Sequence, residues 1–117
     1  MTDRKITCIV LGGSTNALGQ IRAIHELGYK CINIVEKGTH DWSSKSRLCE
    51  GIISPHPFIN KEATLRLLNS VISREKNKPF LFFASDDWMD LIGENEEEFR
   101  KKAYIPQSSW DKLSRLY

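Results

Sequence analysis

The sequence predicts an α/β domain in which helices cover both faces of a mainly parallel sheet of about four strands. Two observations predict it. Short apolar runs alternate with segments of helical periodicity along the 117 residues, as in repeated strand-helix units. The runs are apolar at successive positions, which is typical of strands covered on both sides. Parallel strands joined by helical crossovers then favour the strand order 3-2-1-4 of a Rossmann-like, three-layer domain.

Four segments have the composition of such strands, namely residues 6–11, 30–36, 51–54 and 78–85. The first helix is predicted over residues 15–27, and Gly28 suits the left-handed residue that follows a helix. Its predicted buried face comprises Leu18, Ile21, Ile24 and Leu27. The polar stretch 37–50 lacks periodicity and is expected to form a loop with one short helix.

The second helix is predicted after the extended "PHPF" stretch, with Asn60 as its cap. Its predicted buried face comprises Leu65, Leu68, Val71 and Ile72. A third helix begins at Ser85 or Asp86, and Gly93 is expected to divide it. We also expect an i,i+4 pair between Glu97 and Lys101, followed by a short edge strand at residues 103–106.

The chain is long enough for one domain, residues 1–117, and too short for a nucleotide-binding half plus a catalytic half. Its net charge of +2 comes from interspersed acidic and basic residues, so neither a nucleic acid nor a membrane is the expected partner. No segment is apolar enough to span a bilayer and no signal peptide precedes the first strand, which makes the cytoplasm the expected compartment.

The last predicted helix, residues 108–117, has no terminating residue. We therefore expect the chain to be the truncated N-terminal part of a longer protein. The helix carries an apolar strip formed by Trp110, Leu113 and Leu116, and a fragment that exposes this strip can form a homodimer through it.

Three cysteines, Cys8, Cys31 and Cys49, lie in or beside predicted strands without C-x-x-C spacing. This favours reduced, buried thiols over disulfides. A zinc site formed by Cys31, His40 and Cys49 is disfavoured, because the spacing matches no pattern of structural zinc sites.

The predicted strand order places two polar turns on either side of one crevice. The chain reverses direction between strands one and four, so the turn Gly12-Gly13-Ser14 faces Ser85 and Asp86 at a switch point where small ligands bind. The turn departs from the dinucleotide fingerprint G-x-G-x-x-G, because Ser14 stands where a glycine lets a pyrophosphate approach the backbone. A full dinucleotide is therefore disfavoured, whereas the free N–H groups of the helix start suit a carboxylate or a single phosphate.

These residues also have interpretations that involve no ligand. Gly12 and Gly13 can simply form a tight turn, with Gly19 allowing the helix to pack closely on the sheet. Asp86 and Asp87 can cap a helix and interact with its positive end, and we assign Asp87 that role. In the ligand-binding interpretation, Ser85 and Asp86 accept hydrogen bonds from an amine or hydroxyl whose anionic end lies on the glycine turn.

Other polar residues are weaker candidates. Glu36 follows the second strand, where a nicotinamide-binding fold places its ribose-binding acid, and this keeps an oxidoreductase open as an alternative. Arg47 can reach an anion from the long loop, although a lone arginine is usually solvated. The three histidines, His25, His40 and His56, have no nucleophile or carboxylate at a spacing that indicates a catalytic arrangement. We find no catalytic residue and no metal ligands.

Two stretches, "CIVLGGSTNALGQIRAIHELGYKCINIVE" and "FLFFASDDWMDLIGENEEEFRKKAYIPQSSWDKLSRLY", resemble the N-terminal (pre-ATP-grasp) domain of ATP-grasp enzymes. The resemblance is to the carboxylate-amine ligase and carbamoyl-phosphate-synthase-like branch, and it covers nearly the whole chain. It rests on the order and spacing of the glycine turn, Glu36, Arg47, the Ser85-Asp86 pair and the "YIP" segment.

The resemblance implies that the full-length parent joins a carboxylate to an amine through an acylphosphate, with ATP and Mg bound by domains beyond residue 117. This domain would pack against those domains and help to form the pocket for a small carboxylate or amino-acid substrate. The positions matching that pocket are Gly12, Gly13, Ser14, Ser85 and Asp86. No cofactor is expected within these 117 residues, and the chain alone is expected to be inactive. The alternative from another class is a stand-alone small-ligand sensor or regulatory module.

Overall fold

The computed structural model describes residues 6–38 and 41–105. The strands are β1 (Thr7–Leu11), β2 (Lys30–Glu36), β3 (Glu50–Ser54) and β4 (Phe80–Phe83). The helices are α1 (Ser14–Glu26), α2 (Lys61–Ser73), α3 (Asp86–Glu94) and α4 (Glu96–Lys102), and a 3-10 helix, Asp41–Lys45, lies between β2 and β3. The predicted last helix and its apolar strip lie outside the described residues. No helix in the described ranges combines the length and apolar character that a membrane crossing requires.

The four strands form one parallel sheet in the order β3-β2-β1-β4, which confirms the predicted α/β, Rossmann-like fold. In β1, Cys8 lies opposite Cys31 of β2 on one side and Phe80 of β4 on the other. Because the strands are parallel, their carboxyl ends share one edge of the sheet. Tyr104 contributes a single parallel bridge to Phe80, so the predicted edge strand is reduced to one bridge among the described residues.

Alternate residues of the strands pack on opposite faces of the sheet, and each face has its own apolar cluster. One cluster packs α1 on the sheet and contains Cys8, Val10, Ala17, Ile21, Ile24, Cys31 and Ala84. The other packs the remaining helices and contains, among others, Ile9, Leu11, Ile32, Ile34, Leu68, Trp88, Ile92 and Phe99. Helices on both faces, with β1 fully buried between them, explain why that strand is apolar from Cys8 to Leu11.

Several predicted helix details are corrected. Helix α1 ends at Glu26, so Leu27 is 65 % exposed rather than buried, whereas Gly28 is left-handed as predicted. The break in the third predicted helix falls at Asn95 and not at Gly93. Asn95 leaves the helical conformation, and its side-chain amide donates to the Leu91 carbonyl oxygen, which satisfies a group that the helix end leaves free.

The predicted caps and ion pair also differ in detail. Asn60 and Ser85 occupy the N-cap positions of α2 and α3, but neither side chain makes a capping hydrogen bond. The i,i+4 pairs of α4 are Glu96 with Arg100 at 2.6 Å and Glu98 with Lys102 at 3.1 Å. The predicted Glu97–Lys101 pair is wrong: no ion pair joins these two exposed residues in the described chain.

Candidate functional site

The glycine turn and the start of α3 meet at the carboxyl edge of the sheet. A Cβ atom added to Gly12 would lie 3.0 Å from Ser85 Oγ and 3.1 Å from the Ser85 backbone nitrogen, and Gly12 has a φ of +109°. The close approach and the left-handed backbone both require glycine. The backbone N–H of Gly12 donates to the Ile34 oxygen at 2.8 Å, and that of Ala84 donates to the Leu11 oxygen at 2.8 Å. The two predicted turns are thus in contact and held to the sheet.

The side chain of a buried asparagine donates a hydrogen bond to the glycine turn. Asn33, in the middle of β2, is fully buried, and its side-chain amide donates to the backbone oxygens of Val10 and Gly12, both at 2.9 Å. Its Oδ1 accepts a hydrogen bond of 2.8 Å from the Ser43 hydroxyl in the 3-10 helix. One side chain therefore ties the turn, the central strands and the 3-10 helix together. The sequence analysis missed it, because a single asparagine within an apolar strand indicates burial but no partner.

Ser14 adopts a backbone conformation that glycine favours. Its φ is +85°, and it is the one non-glycine residue with positive φ in the described part of the chain. A serine in the left-handed region is destabilised relative to glycine by roughly 1 kcal/mol. In the dinucleotide fingerprint a glycine occupies this position. Here the chain has a serine, although its left-handed backbone would favour glycine.

The helices that begin on either side of the crevice differ in charge. Helix α1 has Gly13 at its N-cap, hence no side-chain cap, and no acidic residue in its first turn. Helix α3 has Asp86 and Asp87 in its first turn. The positive end of α1 is therefore open to an anion, whereas the start of α3 presents carboxylates to a cation or a hydrogen-bond donor.

A groove of about 410 Å³ runs along the first half of α1 beside the end of β4. It is lined by Thr15, Asn16, Gly19, Gln20, Ala23 and Phe83. The Gln20 amide donates to the Phe83 backbone oxygen at 3.0 Å, which joins α1 to β4 across the groove. A Cβ atom on Gly19 would meet nothing within 4 Å, so the interpretation of Gly19 as a close-packing residue is wrong: it faces the open groove.

Two side-chain oxygens beside this crevice, Gln20 Oε1 and Ser85 Oγ, are buried without a hydrogen-bond partner among the described residues. Buried polar atoms normally have partners, so such atoms call for an explanation when they lie beside a crevice. Ser85 Oγ lies against the glycine turn and is the nearer of the two to the predicted switch point. Both oxygens can accept a hydrogen bond, and the Ser85 hydroxyl can also donate one.

Glu36 ends β2, two residues beyond Ile34, whose oxygen accepts the Gly12 hydrogen bond, and Arg47 lies in the turn before β3. Glu36 is only 6 % exposed, and its Oε1 accepts a buried hydrogen bond of 2.9 Å from the indole N–H of Trp88. At this degree of burial the carboxylate exposes little surface to a group as large as the ribose of a dinucleotide. Arg47 lies exposed on the turn before β3 and makes no hydrogen bond or ion pair with the residues that the structure describes. Neither residue joins the contact between Gly12 and Ser85.

The structure brings together three residues that the sequence analysis kept apart. Glu36, His56 and Asp87 each place a ligand-type atom within 4.8 Å of the others. They follow or end β2, β3 and β4, and His56 Nε2 lies 4.0 Å from Asp87 Oδ2. The sequence predicts a capping role for Asp87 and none for His56, because no spacing along the chain indicates that a strand end, a loop and a helix start converge. The shared carboxyl edge of the parallel strands was the signal that could have found them.

A second hollow, of about 520 Å³, lies at the opposite edge of the sheet. Its central carboxylate, Glu75, accepts hydrogen bonds from Thr7 at 2.7 Å and from Lys30 at 3.1 Å. Burial opposes ionisation of Glu75, but these two donors outweigh burial and hold its pKa below the ordinary value. Because Lys30, Arg74 and Glu75 already pair with one another or with Thr7 and Glu50, we place the candidate site at the carboxyl edge and not here.

The cysteines are free thiols, as expected. Burial raises the pKa of Cys8 to about 11, and burial together with the neighbouring thiols Cys49 and Cys8 raises that of Cys31 to about 12. Cys49 is half-buried, and burial raises its pKa as well. Such thiols are poor nucleophiles at neutral pH. The disfavoured zinc site included His40, which lies outside the described residues.

The chain was also compared with known proteins, by family, by sequence and by structure. No family model, no curated protein and no solved structure matches it.

Proposed function

We propose that this chain is the substrate-side N-terminal domain of an ATP-grasp carboxylate-amine ligase, and that it binds a small carboxylate or amino acid at the switch point. The observation that carries the proposal is the contact between the glycine turn and Ser85, which sets an uncapped helix start beside a buried hydroxyl that has no partner in the described chain. The order of motifs that resembles this family supports the choice of reaction.

The charges on the two sides suit a ligand with an anionic and a donor end. The first N–H groups of α1 have no side-chain cap and no acidic neighbour in the first turn, so they suit a carboxylate. Asp86, in the first turn of α3, suits an ammonium or hydroxyl group on the same ligand. An amino acid carries both groups. The groove of about 410 Å³ adjoins this point through Thr15 and Asn16 in the first turn of α1, although neither Ser85 nor Asp86 lines it, and its volume is within the range of small-molecule sites.

The same features disfavour a nicotinamide dinucleotide. The side chain of Ser14 occupies the position where a pyrophosphate needs an unsubstituted backbone, and the Glu36 carboxylate is too buried to receive a ribose. The crevice does not fit ATP with magnesium either, because the glycine turn carries no lysine of the kind that holds phosphates. In this proposal ATP and Mg are held by further domains of the parent, and this chain binds and orients the other substrate.

The proposal is tested by titrating the chain with amino acids and small dicarboxylates while recording backbone amide resonances. We expect shifts at Gly13, Thr15 and Ser85 for the preferred ligand and none with NADH. The variant Thr15→Asp places a carboxylate in the first turn of α1, where it competes with the ligand. We expect it to weaken binding at least tenfold without loss of fold. Ser70→Asp, on the exposed face of α2, is the matched control.

The outcomes separate the alternatives. Saturable NADH binding with shifts around Glu36 would support the oxidoreductase and overturn the proposal. Carboxylate binding that Thr15→Asp leaves unchanged would contradict the assigned site. The reading frame beyond the codon for Tyr117 separates a ligase domain, which continues into ATP-binding domains, from a stand-alone binding module. The isolated chain is expected to release no ADP from ATP. Clear ADP release from a pure sample would contradict the assignment of ATP binding to further domains of the parent.

A further inference from the structure

We infer that Glu36, His56 and Asp87 form a binding site for a transition-metal ion, for which Zn²⁺ is the probe ion. In the described part of the chain these are the residues whose potential ligand atoms gather within 4.8 Å of one another. The inference goes beyond the proposed function and does not rest on it.

The donor set selects the class of metal. One imidazole nitrogen with two carboxylate groups suits zinc and its neighbours in the transition series, whereas magnesium and calcium prefer oxygen ligands alone. Three protein ligands leave at least one coordination position for water or another ligand. The cluster therefore has the composition of an open site and not that of a closed structural site.

The three ligands differ in how firmly they are held. Glu36 is buried, and the indole N–H of Trp88 donates to its Oε1 at 2.9 Å, which is the outer-shell support that ligating carboxylates usually have. The side chains of His56 and Asp87 are 28 % and 39 % exposed, so an ion can reach them from solvent. Tetrahedral zinc ligands lie roughly 3.4 Å apart, so ligand atoms that lie within 4.8 Å of one another need to approach by at most about 1.5 Å.

The histidine ring must also exchange a proton. The backbone N–H of Phe58 donates to His56 Nδ1 at 3.0 Å, so in the neutral ring Nε2 carries the proton. A metal ion at Nε2 requires that nitrogen to be free of its proton, and the proton must then lie on Nδ1. Metal binding therefore breaks the bond from Phe58 and weakens in acid, where protons compete for the ring.

This requirement gives the inference a specific experimental signature. Untagged protein is titrated with Zn²⁺ by calorimetry, with Mg²⁺ as the comparison, and with Co²⁺ while its visible absorption is recorded. We expect Zn²⁺ to bind at one site and Mg²⁺ at least tenfold more weakly. In amide spectra, the Phe58 backbone resonance and the Trp88 indole resonance should move on addition of Zn²⁺, because their hydrogen-bond acceptors are the proposed ligands.

Variants of the two exposed ligands complete the test. His56→Gln and Asp87→Asn should each weaken Zn²⁺ binding at least tenfold, and neither residue is buried enough for its loss to unfold the chain. His25→Gln, an exposed histidine on α1, and Glu97→Gln, an exposed acid on α4, are the matched controls and should leave binding within twofold. Equal affinities in His56→Gln and the unaltered protein, or a Phe58 resonance that stays in place at saturating Zn²⁺, would overturn the inference. Loss of zinc binding in these variants alongside unchanged carboxylate binding would show that the two sites are independent.

Discussion

The two edges of the sheet are built differently. At the amino edge, Glu75 accepts hydrogen bonds from Thr7 and Lys30, and Arg74 pairs with Glu50 at 2.9 Å. At the carboxyl edge, the Ser85 hydroxyl has no partner among the described residues, and Ser14 holds a left-handed backbone. At the amino edge Glu75, Lys30, Arg74 and Glu50 pair with one another, whereas the carboxyl edge keeps a buried hydroxyl without a partner in the described chain and a strained serine.

The difference follows from the direction of the strands. In a parallel sheet every helix that follows a strand begins at the carboxyl edge, so its free N–H groups and its positive dipole end collect there. The amino edge receives helix ends and strand starts, whose charges can pair locally. Proteins depart from locally favourable choices mainly at functional sites, so the unfavourable features of the carboxyl edge support the ligand site that we propose there.

The largest effect is expected from Gly12→Ala, which would break the contact between the two turns. Alanine at a φ of +109° is strained, and its Cβ atom would press against Ser85. Together these effects should lower the free energy of unfolding by about 4 kcal/mol. Urea unfolding of the purified variant measures this, and a loss below about 1 kcal/mol would show that the turn can rearrange.

Gly19→Ala is the matched control within the same segment. Gly19 lies inside α1 with nothing within 4 Å of an added Cβ atom, and its φ is not positive. Alanine favours the helix over glycine by roughly 1 kcal/mol, so this variant should be more stable than the unaltered chain. If Gly12→Ala lowers the free energy of unfolding and Gly19→Ala raises it, the contacts of Gly12 in the crevice, and not the loss of a glycine, determine the change in stability.

Asn33→Ala should have the next largest effect. It removes three buried hydrogen bonds, from the amide to Val10 and Gly12 and from Ser43 to the amide oxygen. At about 1 kcal/mol for each bond, we expect a loss of about 3 kcal/mol. Ser43→Ala, which removes one of the three, should lose about 1 kcal/mol. If both variants lost the same free energy of unfolding, Asn33 would not be the residue that joins the turn, the central strands and the 3-10 helix.

The sequence predicted the fold because its signals are local and repeated. Apolar runs and helical periodicity indicated all four strands and the first helices, and the crossover rule then determined the sheet order. Helix ends were less predictable. Leu27 fits the apolar periodicity but lies beyond the last turn, and Asn95 rather than Gly93 ends α3 because its side chain bonds back to Leu91. Such choices depend on single hydrogen bonds that periodicity does not encode.

The candidate site was only half predictable. The contact of Gly12 with Ser85 followed from topology, because both residues follow adjacent strands. The gathering of His56 with Glu36 and Asp87 did not, since it depends on the conformation of a loop in which Pro55 and Pro57 flank His56. The hydrogen bond from Trp88 to the buried Glu36 could not be predicted either, because no sequence pattern indicates which acceptor an indole N–H will find.

The amino edge offers a prediction about pH. Glu75→Gln removes a carboxylate whose pKa is held below the ordinary 4.5, so its stabilising effect is present above that value and is lost as the pH falls through the lower, folded-state value. At neutral pH the variant should be less stable by about 1.5 kcal/mol, and the difference should vanish in acid. Chemical unfolding at several pH values measures it. Glu26→Gln, an exposed acid on α1, should show no such trend, and a difference for Glu75→Gln that persists in strong acid would contradict the assigned partners.

The smallest effect, from Ser14→Gly, sharpens the comparison most. Glycine relieves the strain at a φ of +85°, worth roughly 1 kcal/mol, but it also adds backbone freedom to the unfolded chain, which offsets about half of that gain. The variant should therefore be more stable by about 0.5 kcal/mol. If the serine is kept for its contact with the ligand, the same variant should bind a carboxylate more weakly, so that stability and binding change in opposite directions. A variant that gained stability and lost no affinity would place the reason for Ser14 outside the ligand site.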